Sequence, residues 1–225
     1  HVKNKKKSNS ELFKLITNKS KKLRGNIFKT FSKLASCLEI IYTPEIKKFL
    51  KKKKYRNLTL ISSGIVVMEP KKNTFLFPIH QDLKNRLSCK SILMWIPLNN
   101  SNGSLGGITL YKNSNKSGPL KHEVGPAGIM QLKKYSLKKI SKLKKFNYTK
   151  YKIGDILFCS PFIAHQSIVN SHNKESRWTL IIQVDDMSKS KHLKKSLNPF
   201  NVDFYSSSLT NEETRKKHLI NTKIN

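Results

Sequence analysis

The sequence predicts a mainly β protein, a sandwich or barrel with helices on its outside, and three observations carry that prediction. Short segments rich in β-branched and aromatic residues recur from Asn57 onward, each bounded by Gly, Pro or Asn turn signals. Lysine is absent from residues 55–70, 91–111 and 153–173, which hold most of those segments, so the charge lies around the fold and not within it. Neither GxGxxG nor GxxxxGK[ST] occurs, which removes the Rossmann and P-loop nucleotide folds from consideration.

Residues 1–54 read as helix and connection. SELFKLITNKSKKLRGNIFKTFSKLASCLEII (10–41) repeats apolar residues at three-to-four spacing, with Ser10 as a candidate cap before Glu11. Pro44 opens a second, shorter helix over EIKKFLKKKKY, and both are expected on the outside of the core. The strand series then runs TLISSGIVVMEP (59–70), TFLFPIHQD (74–82), SILMWIPLN (91–99), GGITLYK (106–112), GIMQLKKY (128–135), GDILFCSPF (154–162) and RWTLIIQVDD (177–186). Short strands separated by turns describe a sandwich or barrel, not a parallel βαβ sheet. The expected organisation is an N-terminal helical segment (1–56), a β core (57–187) carrying a lysine-dense surface helix or loop (133–150), and a polar, basic extension (188–225) with a short helix at NEETRKKHLI.

Composition narrows the class of partner. The chain of 225 residues is 37% hydrophobic and 26% charged, with a formal net charge of +32. Such a charge points first to nucleic acid or an anionic surface. Yet only five of the 45 basic residues are arginine, the side chain suited to bidentate phosphate and base recognition, and no stripe interleaves aromatic with basic residues. The lysines read as a compositional drift, and a small-molecule partner is preferred to nucleic acid. No run approaches the roughly 20 apolar residues of a membrane-spanning helix. The basic start is not followed by an apolar block and cleavage site, and the first residue, His1, fits a fragment or trimmed chain. Cys37, Cys89 and Cys159 are widely spaced and form no CxxC pair, from which a reducing, cytoplasmic setting is expected.

Candidate chemistry begins at His80-Gln81-Asp82, which closes the segment TFLFPIHQD. In extended chain, residues two apart share a face, so one imidazole and one carboxylate converge. His165, 83 positions beyond Asp82, lies just after GDILFCSPF. If it joins them, two imidazoles and one carboxylate form the facial triad of non-haem Fe(II) oxygenases, with open positions for a co-substrate and dioxygen. Arg177 opens the strand RWTLIIQVDD and faces inward with Thr179, Ile181 and Gln183 by alternation. A buried guanidinium is costly unless it meets an anion, and a carboxylate meets it bidentately. His122 and His172 are histidines by type only and are expected to be exposed.

From about Ile61 to Asp186 the chain resembles the phytanoyl-CoA dioxygenase family of Fe(II)/2-oxoglutarate oxygenases. His80, Gln81 and Asp82 match the family's HxD; Trp95 in MWIPLNN matches its tryptophan-bearing strand; Asn102 to Leu105 resemble its NG-x-L turn. Gly154, Asp155, His165, Ser167, Asn170 and Arg177 match the distal Gly-Asp strand, H-x-S-x-x-N and arginine, whereas Lys112-Asn113-Ser114 departs from the usual PGS. The resemblance implies a double-stranded β-helix, or jelly roll, of cupin-like type, with iron held by His80, Asp82 and His165. It further implies that Arg177 pairs with the distal carboxylate of 2-oxoglutarate, that Ser167 adds a hydroxyl hydrogen bond, and that Trp95 walls the pocket. Asn170 is expected to brace the turn between the last two strands. The implied activity is hydroxylation of a small molecule with conversion of 2-oxoglutarate to succinate; the acid at Asp82 favours hydroxylation over halogenation. Two other readings stay open: a basic nucleic-acid-associated protein on a jelly-roll scaffold, and a non-catalytic cupin-like metal-binding protein.

Overall fold

The computed structural model describes residues 7–31, 33–71, 76–83, 90–125 and 129–189. The expected C-terminal helix, the lysine cluster after Lys189, Cys89, Arg86 and Arg215 lie outside these residues.

Two antiparallel sheets hold the molecule together. In the larger, β1 (Leu58–Met68), β11 (Arg177–Asp186), β2 (Ser91–Pro97) and β9 (Leu157–Cys159) lie side by side in that order; in the smaller, β10 (His165–Ile168), β4 (Gly107–Tyr111) and β7 (Lys145–Tyr148) do. His80 bridges to His165 at the free edge of β10, so the segment around it acts as a further rung of the smaller sheet. Followed along the chain, β1, the His80 rung, β2 and β4 alternate between the sheets, and after β7 so do β9, β10 and β11. That alternation is the double-stranded β-helix. Two small ladders complete the strands: β3 (Ser101–Asn102) with β8 (Lys150–Tyr151), and β5 (His122–Val124) with β6 (Met130–Leu132).

Strand alternation sorts the core into layers. On the outer face of the larger sheet, Ile92, Met94 and Ile96 of β2 and Leu180, Ile182 and Val184 of β11 pack against α3 (Ala35–Ile41) and α4 (Pro44–Lys52) through Cys37, Ile41, Ile46 and Leu50. Each such buried side chain contributes about 1.5–3 kcal/mol. Pro44 at the first helical position starts α4, as its missing N–H costs nothing there. The first helical stretch is three helices, not one: α1 (Asn9–Lys19) and α2 (Lys21–Phe31) precede α3, and they cover Ile65 and Val67 of β1 with Phe13, Ile27 and Phe28. The cap of α1 is Ser8, not Ser10. Its hydroxyl accepts the Glu11 N–H at 3.3 Å while the Glu11 carboxylate accepts the Ser8 N–H at 2.7 Å, a reciprocal capping box. Ser10 instead accepts the Ser176 N–H, tying α1 to the start of β11.

Two further expectations are corrected. In residues 133–150, α5 (Lys134–Ile140) is a helix, one of the two expected forms, but β7 follows it and pairs with β4 as part of the core. An edge strand exposes one margin and one face, so Lys145 and the exposed Phe146 disguise it as loop. Of the segment TFLFPIHQD, the described residues 76–82 are strand only at the His80 bridge, where Pro78 cannot donate to a ladder.

Asp186 locks the ends of the core. Its fully buried carboxylate accepts the N–H groups of Arg56 and Asn57, both at 3.2 Å, and from Ser188 the N–H at 3.0 Å and the hydroxyl at 2.6 Å. Burial pushes this carboxyl up, but the four hydrogen bonds outweigh it and hold the pKa below the usual 3.8. Asp186→Ala should therefore destabilise by about 2–4 kcal/mol, since it removes a fully buried carboxylate and orphans four partly buried donors. A depressed pKa gives stability present above the unfolded value and lost as pH falls through the folded one. Urea unfolding of both proteins should thus show a wide gap at neutral pH that narrows only below pH about 4.

Candidate metal centre

Two neighbouring strands deliver the triad. His80 and His165 face each other as a hydrogen-bonded antiparallel pair, each N–H donating to the other's carbonyl at 3.0 Å. Their rings lie 4.2 Å apart, centroid to centroid. Asp82, two residues past His80, falls on the same side and is fixed by its own N–H donating to Pro161 O at 3.1 Å. One ligand atom from each residue lies within 4.8 Å of the other two. Asp82 Oδ1 is 3.8 Å from His80 Nε2, and Oδ2 is 3.5 Å from His165 Nε2.

Backbone carbonyls set the tautomers. His80 Nδ1 lies 2.7 Å from Pro78 O and His165 Nδ1 lies 3.0 Å from Ile163 O. A carbonyl can only accept, so each Nδ1 carries the proton and each Nε2 turns a lone pair toward Asp82. Burial, and then the neighbouring His165, hold His80 below the ordinary imidazole range; the Asp82 carboxylate opposes this only in part. A neutral imidazole is the form a metal requires. Two lone pairs and a carboxylate oxygen aimed at one point suit a first-row divalent cation in a mixed N/O site, and the donor set fits ferrous iron.

Gln81, between the two ligands, points the other way and anchors the segment. Its Nε2 donates to Gly118 O at 3.0 Å and Phe162 O at 2.6 Å, and its Oε1 accepts the Leu120 N–H at 2.8 Å. Its own N–H donates at 2.9 Å to His122 Nε2, and His122 Nδ1 bonds Leu120 O at 2.8 Å. His122 is thus half-buried and braces the segment, contrary to the expected exposure. His172 is also half-buried: its Nδ1 accepts the N–H groups of Lys174 and Glu175 and closes the turn before β11. Ser114, legible in sequence only as part of the Lys112-Asn113-Ser114 departure, has a buried hydroxyl that donates to Tyr111 O and accepts the Ala164 N–H, fixing the residue before His165.

The triad opens on a cavity of about 270 Å³ between the two sheets, with Arg177 among its lining residues. Arg177 is 2% exposed. Its Nη1 donates to Gly107 O at 2.8 Å and Ile168 O at 3.0 Å, while its buried Nε has no partner among the described residues. No carboxylate lies within salt-bridge distance among the described residues. Burial lowers its pKa to about 10, so it stays charged at neutral pH. Gly107 is required at this point: a side chain there would run into the Tyr148 carbonyl and displace the strand that supports Arg177. Ser167 lines the cavity and accepts the Phe77 N–H at 3.3 Å, keeping its own proton to donate. Trp95 lines it too, held edge-on by Tyr148 and Tyr151 at 5.7 and 5.2 Å. Asn170 braces the last turn as expected, donating to Met68 O and Glu175 O and accepting the His172 N–H.

No family model matches the chain, and no curated protein does. Among solved structures it is similar to SnoK, a non-heme alpha ketoglutarate dependent carbocyclase from nogalamycin biosynthesis (18% identity, TM-score 0.49, 68% of this chain and 65% of that one). It is similar to AviO1 from Streptomyces viridochromogenes Tue57 (18%, TM-score 0.49, 66% and 60%). It is also similar to EvdO2 from Micromonospora carbonacea var. aurantiaca complexed with 2-oxoglutarate (12%, TM-score 0.48, 65% and 61%). The chain thus spans less than two thirds of each of these proteins. At such values the strand order and the side-chain geometry, not the likeness, carry the functional reading.

Gln81→Leu leaves Gly118 O, Phe162 O and the Leu120 N–H unpaired. It should lower stability by about 2–4 kcal/mol and metal affinity by about 10–100-fold, measured by thermal unfolding and by Mn(II) titration.

Proposed function

We propose that this protein is an Fe(II)- and 2-oxoglutarate-dependent dioxygenase of phytanoyl-CoA dioxygenase-like type that hydroxylates a small molecule. The observation that carries the reading is one cavity lined both by a His80, Asp82 and His165 cluster and by a buried guanidinium that no carboxylate among the described residues satisfies. A structural metal site needs no such arginine, and burying it unpaired is expensive.

His80 Nε2, Asp82 and His165 Nε2 would hold the iron. Bound there with 2-oxoglutarate and dioxygen, it supplies the oxidative decarboxylation that gives succinate, carbon dioxide and a hydroxylated product. The chain's own groups orient and protect. Arg177 offers its Nε and remaining guanidinium hydrogens to the distal carboxylate, and Ser167 Oγ adds its proton. Trp95, Ile108 and Ile181 keep that end of the cavity apolar and exclude water, which strengthens the ionic contact. Cys37 and Cys159, both free and buried, fit a reducing, cytoplasmic setting. No helix among the described residues is long and apolar enough to cross a membrane.

Two variants test the assignment. Asp82→Ala should abolish the charge-transfer absorption of the anaerobic Fe(II)–2-oxoglutarate complex and all succinate formation. Arg177→Gln, which keeps a polar but shorter and uncharged side chain, should leave Fe(II) affinity within about twofold and weaken 2-oxoglutarate binding by about 10–100-fold. Equal 2-oxoglutarate affinity in wild type and Arg177→Gln would refute the role of Arg177.

A further inference from the structure

The cavity wall formed by β1 and β11 contains residues that the fold does not require. Gly64 stands in the middle of β1, opposite Ile181, where glycine weakens a strand. Its φ is not positive, and a Cβ built on it meets nothing within 4 Å. Neither a turn nor a close approach demands glycine here. What its missing side chain leaves is open cavity. Ser62, two residues earlier on the same face, follows an irregularity in the β1 register after Leu60, a device that re-aims a side chain. It sits directly across from Gln183 and donates its hydroxyl to Gln183 Oε1 at 2.9 Å. That bond occupies the amide oxygen and leaves the amide NH₂ with two donors beside the cavity.

This wall lies at the metal end. Ser62, Gln183, Leu93 and Cys159 form one row across the larger sheet, and the Cys159 thiol is near enough to Asp82 to be raised by its charge, after burial. Arg177 is six residues from Gln183 along β11, roughly 20 Å of strand, so the two ends of the cavity are distinct. Among the described lining residues the only charged side chains are Asp82 and Arg177, both already assigned. The neighbours of Ser62 and Gly64 are apolar: Leu93 lies in the row of Gln183, and Ile181 stands opposite Gly64 where the two ends meet. The chain carries a formal net charge of +32, but among the described residues this end of the cavity offers an anion no cationic side chain.

We propose that Gly64, Ser62 and Gln183 form the subsite for the substrate: an apolar ring or short chain lies over Gly64, and an uncharged oxygen, hydroxyl, ether or carbonyl, accepts from the Gln183 amide. Naming the occupant a substrate rests on the oxygenase reading; the subsite itself is a property of the cavity without metal. Carboxylates, phosphates and amines are excluded here, since Ser62, Gly64 and Gln183 carry no counter-charge and Asp82 is committed to the metal. A cavity of about 270 Å³ also limits the part that enters to a small group.

The test uses the full ¹⁵N-labelled chain and three probes of one skeleton: cyclohexanol, cyclohexanecarboxylate and cyclohexylammonium. The readout is the Gln183 side-chain NH₂ resonance, identified by its loss in Gln183→Leu, with Zn(II) and 2-oxoglutarate present. Cyclohexanol should shift it and bind at least tenfold more tightly than either charged probe. Gly64→Val should abolish that binding, with Gly64→Ala intermediate, while melting temperature does not fall and 2-oxoglutarate affinity stays within twofold. A stronger response to a charged probe, unchanged binding in Gly64→Val, or a lowered melting temperature in that variant would each overturn the proposal. The titration of cyclohexanol into wild type and Gly64→Val is repeated without Zn(II) and 2-oxoglutarate. If those two do not bind at all, the oxygenase reading fails, and this arm alone still decides the subsite.

Discussion

The structure turns on the hydrogen-bonded pair between His80 and His165, residues 85 positions apart in sequence. In an antiparallel pair, directly opposed residues place their side chains on one face. Once the two backbones exchange their N–H bonds, both imidazoles must point into the space between the sheets, and Asp82 follows by period. No loop has to find the geometry. It is imposed by the double-stranded β-helix, whose strand order lays the His80 rung beside β10.

The residues around that pair divide their work by alternation. His80 and Asp82 look into the cavity; Gln81 looks away and is fully hydrogen-bonded to the 118–120 and 162 loops. His122 and Ser114 then secure the backbone on either side of the pair. At the far end Arg177 is the opposite case, a buried cation left incompletely satisfied by two carbonyls. A chain selected only for stability would replace it with an apolar side chain. Local cost at a cavity wall is where function is expected to override folding rules, and Gly64 in mid-strand is a second instance on the same wall.

The sequence carried the parts of the site that obey short-range rules. HxD on an extended segment, a histidine just beyond a strand and an inward arginine at a strand start are legible because period two fixes their face. Partners set by tertiary packing were not: nothing near His122 says that it will accept the Gln81 N–H, and Ser114 reads as any loop serine. β7 was hidden because an exposed edge strand has no reason to exclude lysine. The α1 cap was legible but misread, for Ser8 stands three residues before Glu11 as a capping box requires, whereas Ser10 does not. Gln183 and Ile181 were placed on the inward face by alternation, but the value of Gly64 emerges only when the space in front of it is seen.

The central claim is that three side chains and one guanidinium act on a single ligand assembly. A crystal loaded anaerobically with Fe(II) and 2-oxoglutarate tests it directly through the iron anomalous signal. The account predicts one iron bound by His80 Nε2, an Asp82 oxygen and His165 Nε2 together, with a carboxylate of 2-oxoglutarate against Arg177. Iron bound elsewhere, or a 2-oxoglutarate that leaves Arg177 without a partner, would contradict it.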